Sequence, residues 1–130
     1  MSVIDTIDPA ILANKIATLA TIGRDGGPQM TAVWYLVEGD RILISAAARR
    51  QKTKNLAHDP KCSLLIFHPD TNDYYVELRG TAEVVDDAAY EIADRIAARY
   101  GADFRNFDGP NDHRLIISIV PERSLVTDVR

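Results

Sequence analysis

The chain has 130 residues, a formal net charge of −4, 46% hydrophobic residues and 26% charged ones, which fits one globular domain over residues 1–130 with a core of its own. That acidic balance excludes a broad nucleic-acid surface. No apolar run is long enough to cross a bilayer, the single Cys62 excludes an intramolecular disulfide, and the N-terminal stretch lacks a signal-peptide pattern, so a cytoplasmic protein is expected.

A first helix is predicted in "IDPAILANKIA", with Asp8 as N-cap, Pro9 at the first helical position and Ile11, Leu12 and Ile16 at helical spacing. "ATLATIG" reads as a strand, "RDGGP" as a turn and "QMTAVWYLVE" as a second strand. Gly39-Asp40 turns the chain into "RILISAA", which gives a three-stranded meander. A basic stretch follows and reads as a helix ending before Pro60. "CSLLIFH" and "YYVELRGTAEVVD" are further strands, with a bulge or bend at Gly80. "DDAAYEIADRIAARYG" is an amphipathic helix capped by Asp86 or Asp87 and stopped by Gly101. A polar loop leads to one or two last strands, broken or bent at Pro121. The fold class is mainly β (α+β): six to seven antiparallel strands in a closed or nearly closed barrel, with about three peripheral helices.

The usual catalytic motifs are missing. There is no GxGxxG or GxxxxGK[ST], and the glycines of "GRDGGP" lie between strands. His58, His68 and His113 are far apart in sequence and give no metal spacing. Cys62 reads as a small core residue, Ser45 has no nucleophile elbow, and Asp86 with Asp87 fits a capping role. What stands out is "ARRQKTKNLAHDP", where Arg49, Arg50, Lys52 and Lys54 fall within six residues. Cations at a helix N-terminus oppose the backbone dipole. A bound phosphate removes the conflict by taking backbone N–H groups and cationic side chains together; neutralisation by acidic residues from elsewhere is the alternative.

"LATIGRDGGPQMTAVWY", "RILISAAARRQKTKNLAHDPKCSLLI" and "YYVELRGTAEVV", in this order, resemble the split-barrel flavin and deazaflavin oxidoreductases related to pyridoxamine 5'-phosphate oxidase. The short reductases that use the deazaflavin coenzyme F-420 look most similar. The most specific part is Lys52 to Pro60, directly after the third strand. The resemblance implies a split-barrel homodimer with a cofactor in each groove between the subunits. Lys52 and Asn55 would hold the phosphate, helped by Arg50 or Lys54. Thr31, Val33 and Trp34 would border the ring, and Ser45 and Ala46 would line its ribityl side. Tyr74 or Arg79 of the partner subunit would complete the groove. The expected activity is hydride transfer from reduced coenzyme F-420 to a small organic acceptor. A flavin mononucleotide (FMN) enzyme of the same fold, or a binding protein without turnover, is the alternative. The extra cations favour the deazaflavin, whose acidic tail extends beyond the phosphate. No catalytic side chain and no metal are expected. Pyridoxamine phosphate oxidation itself is not expected, because those oxidases carry substrate residues beyond the point where this chain stops at Arg130, and no histidine suggests a haem ligand.

Overall fold

The computed structural model describes residues 1–130. Seven strands form one antiparallel sheet: β1 (Ala17–Ile22), β2 (Pro28–Val33), β3 (Leu36–Glu38), β4 (Arg41–Ala47), β5 (Lys61–Phe67), β6 (Tyr74–Asp86) and β7 (Arg114–Asp128). Three α-helices accompany it: α1 (Pro9–Leu12), α2 (Gln51–His58) and α3 (Glu91–Ala98). No helix is long and apolar enough to cross a membrane.

The strand order is β2-β1-β5-β6-β7-β4-β3. Both edges therefore belong to strands that are consecutive in the chain, joined only by Trp34 and Tyr35. Three Cα–Cα steps keep those edges within about 11 Å, whereas a flat sheet of this width would separate them by about 29 Å. The sheet must curl until its edges nearly meet. It does not close by hydrogen bonding, and this is the split in the barrel. The expected continuous strand over residues 29–38 is thus two strands. β1 pairs with β2 and β3 with β4, but β2 and β4 do not pair, so the three-stranded meander is not formed.

The interior of the curl is the core. Ile42, Ile66, Val76, Tyr35 and Ile117 are all fully buried, each such aliphatic contributing about 1.5–3 kcal/mol by leaving water. Tyr35 keeps its phenol satisfied by donating to the carbonyls of Leu12 (2.9 Å) and Asn14, and burial pushes its pKa up to about 12.

Two helical expectations are adjusted. Asp8 does cap α1, accepting from the Ala10 amide (2.9 Å), but the helix lasts one turn. Asn14 ends it: its amide donates to Phe67 O (2.8 Å) while its Oδ1 accepts from Ile16 N (3.1 Å), which leaves Ile16 outside the helix and exposed. α3 begins at Glu91, later than the sequence suggests. Asp87 still caps it from a distance, accepting from the amides of Ile92 (3.3 Å) and Ala93 (2.9 Å). The polar loop after α3 contains one 3-10 turn, Phe104–Asn106.

β7 is continuous through Pro121. Opposite it, the β6 register shifts between Arg79 and Gly80, so Glu122 is the extra residue of a bulge. A Cβ on Gly80 would strike the backbone of Val120, which is why glycine stands here.

Candidate functional site

One cavity of about 290 Å³ opens where β2, β4, the start of α2 and the loop after α3 converge. Its floor is small and apolar: Ala32 and Val33 from β2, Ala46 and Ala47 from β4. Trp34, Phe104 and Phe107 form an aromatic side, and Arg49, Arg50, Lys52 and Arg114 a cationic one. Short side chains on two strands thus leave a slot, bounded by the elements that follow each strand.

The cationic side is built by the turn from β4 into α2. Arg50 is the N-cap residue of α2, and no side chain caps that end. Lys52, on the first turn, is only 6% exposed, and no carboxylate pairs with it. Burial, then the nearby Arg50 and Arg114, hold its pKa below the ordinary lysine range. Two of the neighbouring cations are neutralised. Arg114 donates from Nε and Nη2 to Asp108 (2.7 and 2.6 Å) and from Nη1 to Ser45 Oγ (3.3 Å). Arg49 donates to Asp112 (2.7 Å). Arg50 and Lys52 have no such partner, so the cavity holds a surplus of positive charge.

Of the residues singled out in the sequence, the structure brings Val33, Trp34, Ser45, Ala46, Arg50 and Lys52 to this cavity. Thr31 lies two residues back on β2 and turns inward opposite core residue Leu19; its Oγ1 is buried without a partner. Lys54 is exposed on α2. Asn55 is buried, but its amide is spent on Thr21 Oγ1 (3.1 Å) and Gln29 Oε1 (3.2 Å), and its Oδ1 accepts from Gln51 (2.7 Å). It ties α2 to the β1–β2 hairpin. Tyr74 donates to Asp8 (3.0 Å) under the Arg130 guanidinium. Arg79 pairs with Glu77 (3.0 Å) beside a separate, larger depression of about 500 Å³. Within one chain, then, Tyr74 and Arg79 are away from the cavity.

Four residues of the cavity carry no signal in the sequence: Phe104, Phe107, Asp108 and Arg114. The loop 102–113 holds no motif, and only the fold brings it against β4. Asp108 is held there by Arg114 and by the Tyr90 hydroxyl (2.7 Å), and these donors keep its carboxyl below the usual carboxylate range. Arg114 in turn lies over the Phe104 ring, 4.3 Å from its centroid.

Comparison with known proteins places the chain in a family. The family described as pyridoxamine 5'-phosphate oxidase matches residues 3–127. A pyridoxine/pyridoxamine 5'-phosphate oxidase of Kineococcus radiotolerans is 32% identical over 101 residues, which cover 75% of this chain and 45% of that protein. The chain thus spans under half the length of that curated relative. Among solved structures, one described as an F-420 reductase superposes with a TM-score of 0.78 at 28% identity, covering 89% of this chain and 94% of the other. A conserved hypothetical protein of Mycobacterium tuberculosis gives 0.75 at 32% identity, covering 100% and 86%. The match over nearly the whole chain, together with the open seven-stranded barrel, shows that this protein belongs to the pyridoxamine 5'-phosphate oxidase family.

Proposed function

We propose that the protein is an oxidoreductase that binds reduced coenzyme F-420 in the cavity and serves hydride transfer to a small organic acceptor. The observation that carries this reading is Lys52: a side chain only 6% exposed whose ammonium has no anionic partner, on the uncapped first turn of α2 and facing a cavity. A partly desolvated ammonium without a counter-charge is unfavourable, and a phosphate there would take the ammonium, Arg50 and free backbone amides together. The alanine floor leaves room for a flat ring beside Trp34. β2 is an edge strand, so backbone N–H groups along its free side can meet ring carbonyls. Bound there, a reduced deazaflavin supplies the hydride itself. The chain's share is to bind, orient and keep water out, which agrees with the absence of an obvious acid–base residue.

The similarity to a structure described as an F-420 reductase supports the deazaflavin. One observation keeps FMN as the second reading. Arg49 and Arg114 are already neutralised by Asp112 and Asp108, so the charge left over suffices for a terminal phosphate alone.

A second copy of the chain would complete the groove. At about 290 Å³ the cavity lies at the lower limit of ligand sites, which span about 300–1,000 Å³. Ala32 at its rim belongs to the outer face of the sheet, on a row through Thr18, Leu65, Glu77 and Leu125. Exposed Met30 lies on the neighbouring row. A partner on this half-apolar face would cover the open side of the slot, and Arg79 lies on the same face, where a partner's groove could reach it.

Titration with coenzyme F-420 and with FMN, followed by fluorescence, tests the reading. Micromolar or tighter binding of one, weakened by Lys52→Ala, is expected. Binding of neither would refute it. Binding without reduction of any acceptor in a broad panel would leave a carrier rather than an enzyme.

A further inference from the structure

The two-residue break between β2 and β3 is held from outside the cavity, by the turn that ends α3. Trp34 stacks flat on Tyr100, with ring centroids 4.3 Å apart and planes 6° from parallel. The Tyr35 amide donates to Tyr100 Oη (3.3 Å), and the same hydroxyl donates to the Lys15 carbonyl. Next to it, Arg99 donates to the Tyr35 carbonyl and lies over the rings of Tyr35 (5.3 Å) and Tyr100 (5.6 Å). Tyr35 lies in neither strand, so both its backbone groups would otherwise lack a ladder partner. Consecutive residues of one turn take both.

This matters for the cavity because Trp34 is in its wall while Arg99 and Tyr100 are not. At a strand break no ladder fixes the orientation of a side chain. The Trp34 indole is fixed instead by Tyr100 across one ring face and by Phe104 at 5.7 Å. The slot between Trp34 and the alanines of β4 keeps its width only while Tyr100 stays in place.

We infer that Tyr100 is a positioning residue for the cavity, acting through Trp34 and the Tyr35 amide to hold the wall against which a cofactor ring would lie. The inference rests on the cofactor reading above, and α3 becomes part of the site rather than a peripheral helix.

Trp34 is the only tryptophan, so its emission anisotropy and near-ultraviolet dichroism report this wall directly. In cofactor-free protein, Tyr100→Leu should lower the anisotropy and flatten the dichroism of Trp34. Tyr100→Phe keeps the stack and should preserve both signals. Affinity for coenzyme F-420 and FMN should then fall about five- to tenfold in Tyr100→Leu and about two- to threefold in Tyr100→Phe. A folded Tyr100→Leu variant with an unchanged Trp34 signal would show that Tyr100 does not hold the indole. A loosened Trp34 with wild-type cofactor affinity in both variants would reduce Tyr100 to a residue of the core. Both results overturn the inference while wild type still binds cofactor. If wild type binds neither cofactor, the cofactor reading fails first and the positioning role falls with it. Should Tyr100→Leu fail to fold, Tyr100→Met, which also removes the stacked ring, is read by the same two outcomes in its place.

Discussion

Arg114 grips Asp108 through two hydrogen bonds of 2.7 and 2.6 Å, in a pair whose side chains are 7% and 3% exposed. The pair fastens the loop 102–113 to the start of β7 and, through the bond from Arg114 to Ser45, to β4, and with it Phe104 at the cavity wall. Removing one partner strands the other charge in the interior. Asp108→Ala should therefore cost about 3 kcal/mol of stability. The double replacement Arg114→Met with Asp108→Leu should recover most of that loss. Chemical denaturation of wild type and the two variants checks this; an Asp108→Ala loss below about 1 kcal/mol would mean that the loop is held by other contacts.

The same pair fixes a direction on the acid side. The Asp108 carboxyl is held below its unfolded value, chiefly by Arg114 and then by Tyr90. A carboxylate depressed in the folded state adds stability that is fully present above its unfolded pKa of about 3.9 and is lost as pH falls through the folded value. Melting temperature should therefore drop as pH falls below about 4. Asp108→Asn should make that decline shallower while lowering stability at pH 7. An identical acid limb in wild type and variant would remove Asp108 from it.

Gly80 is a sharper structural test. Its missing Cβ makes room for the backbone of Val120 across the bulge, and a backbone cannot swing aside as a side chain can. Gly80→Ala should destabilise by about 1–3 kcal/mol through overpacking. Gly39, at φ +59 in the β3–β4 turn with open space around it, should show only a conformational penalty of about 1 kcal/mol on mutation to alanine. Thermal melts of the two variants should rank them in that order.

The bulge was legible in the sequence because a glycine inside an alternating strand weakens it, and is expected only where the strand bends or another backbone comes close. The strand positions were legible too, since β1 and β5 are short apolar stretches rich in Thr, Leu and Ile, bounded by turn residues. The break at Trp34-Tyr35 was not. That stretch runs from Met30 to Val37 without a glycine, proline or other breaker, and what divides it is tertiary: the Tyr35 phenol is drawn to the carbonyls of Leu12 and Asn14, and its backbone to the end of α3. In the site, Lys52 could be found because a charge cluster conflicts with a helix dipole locally. Asp108 and Arg114 could not, because their role is set by a loop returning to a strand 69 residues away from Arg114, at Ser45.

Dimerisation can be tested through the outer face. Leu65 and Tyr75 sit on it, half-buried in the single chain. Leu65→Glu places a charge there without entering the core, so the fold should persist. Light scattering at micromolar concentration should show a dimer for wild type and a monomer for the variant, with cofactor affinity falling in parallel. Permanent interfaces of this kind bury about 2,000 Å² or more, which one charge at the centre can disrupt. A monomeric wild type with full cofactor affinity would show that one chain makes the whole site.

Lys52 gives two opposite effects in one variant. Burial first, then Arg50 and Arg114, push its pKa down, so the folded state releases this proton more readily than the unfolded chain. Between the folded value and the unfolded value of about 10.4 the unfolded chain binds more protons, and stability rises with pH across that window. Below it the charged ammonium is a liability of the cofactor-free protein. Lys52→Met keeps the stem's apolar contacts and removes the charge. It should raise the melting temperature of cofactor-free protein at pH 7, and the gain should shrink as pH approaches about 10. In the presence of coenzyme F-420 or FMN the order should invert, because wild type gains a charge-assisted bond of about 1.5–3 kcal/mol, roughly ten- to a hundredfold in affinity. Lys52→Arg should restore only part of it, a planar fork being no substitute for a compact ammonium. Inorganic phosphate should protect wild type more than Lys52→Met against thermal unfolding. If Lys52→Met is destabilised without ligand and binds both cofactors as wild type does, Lys52 is a satisfied structural cation and the anion site lies elsewhere.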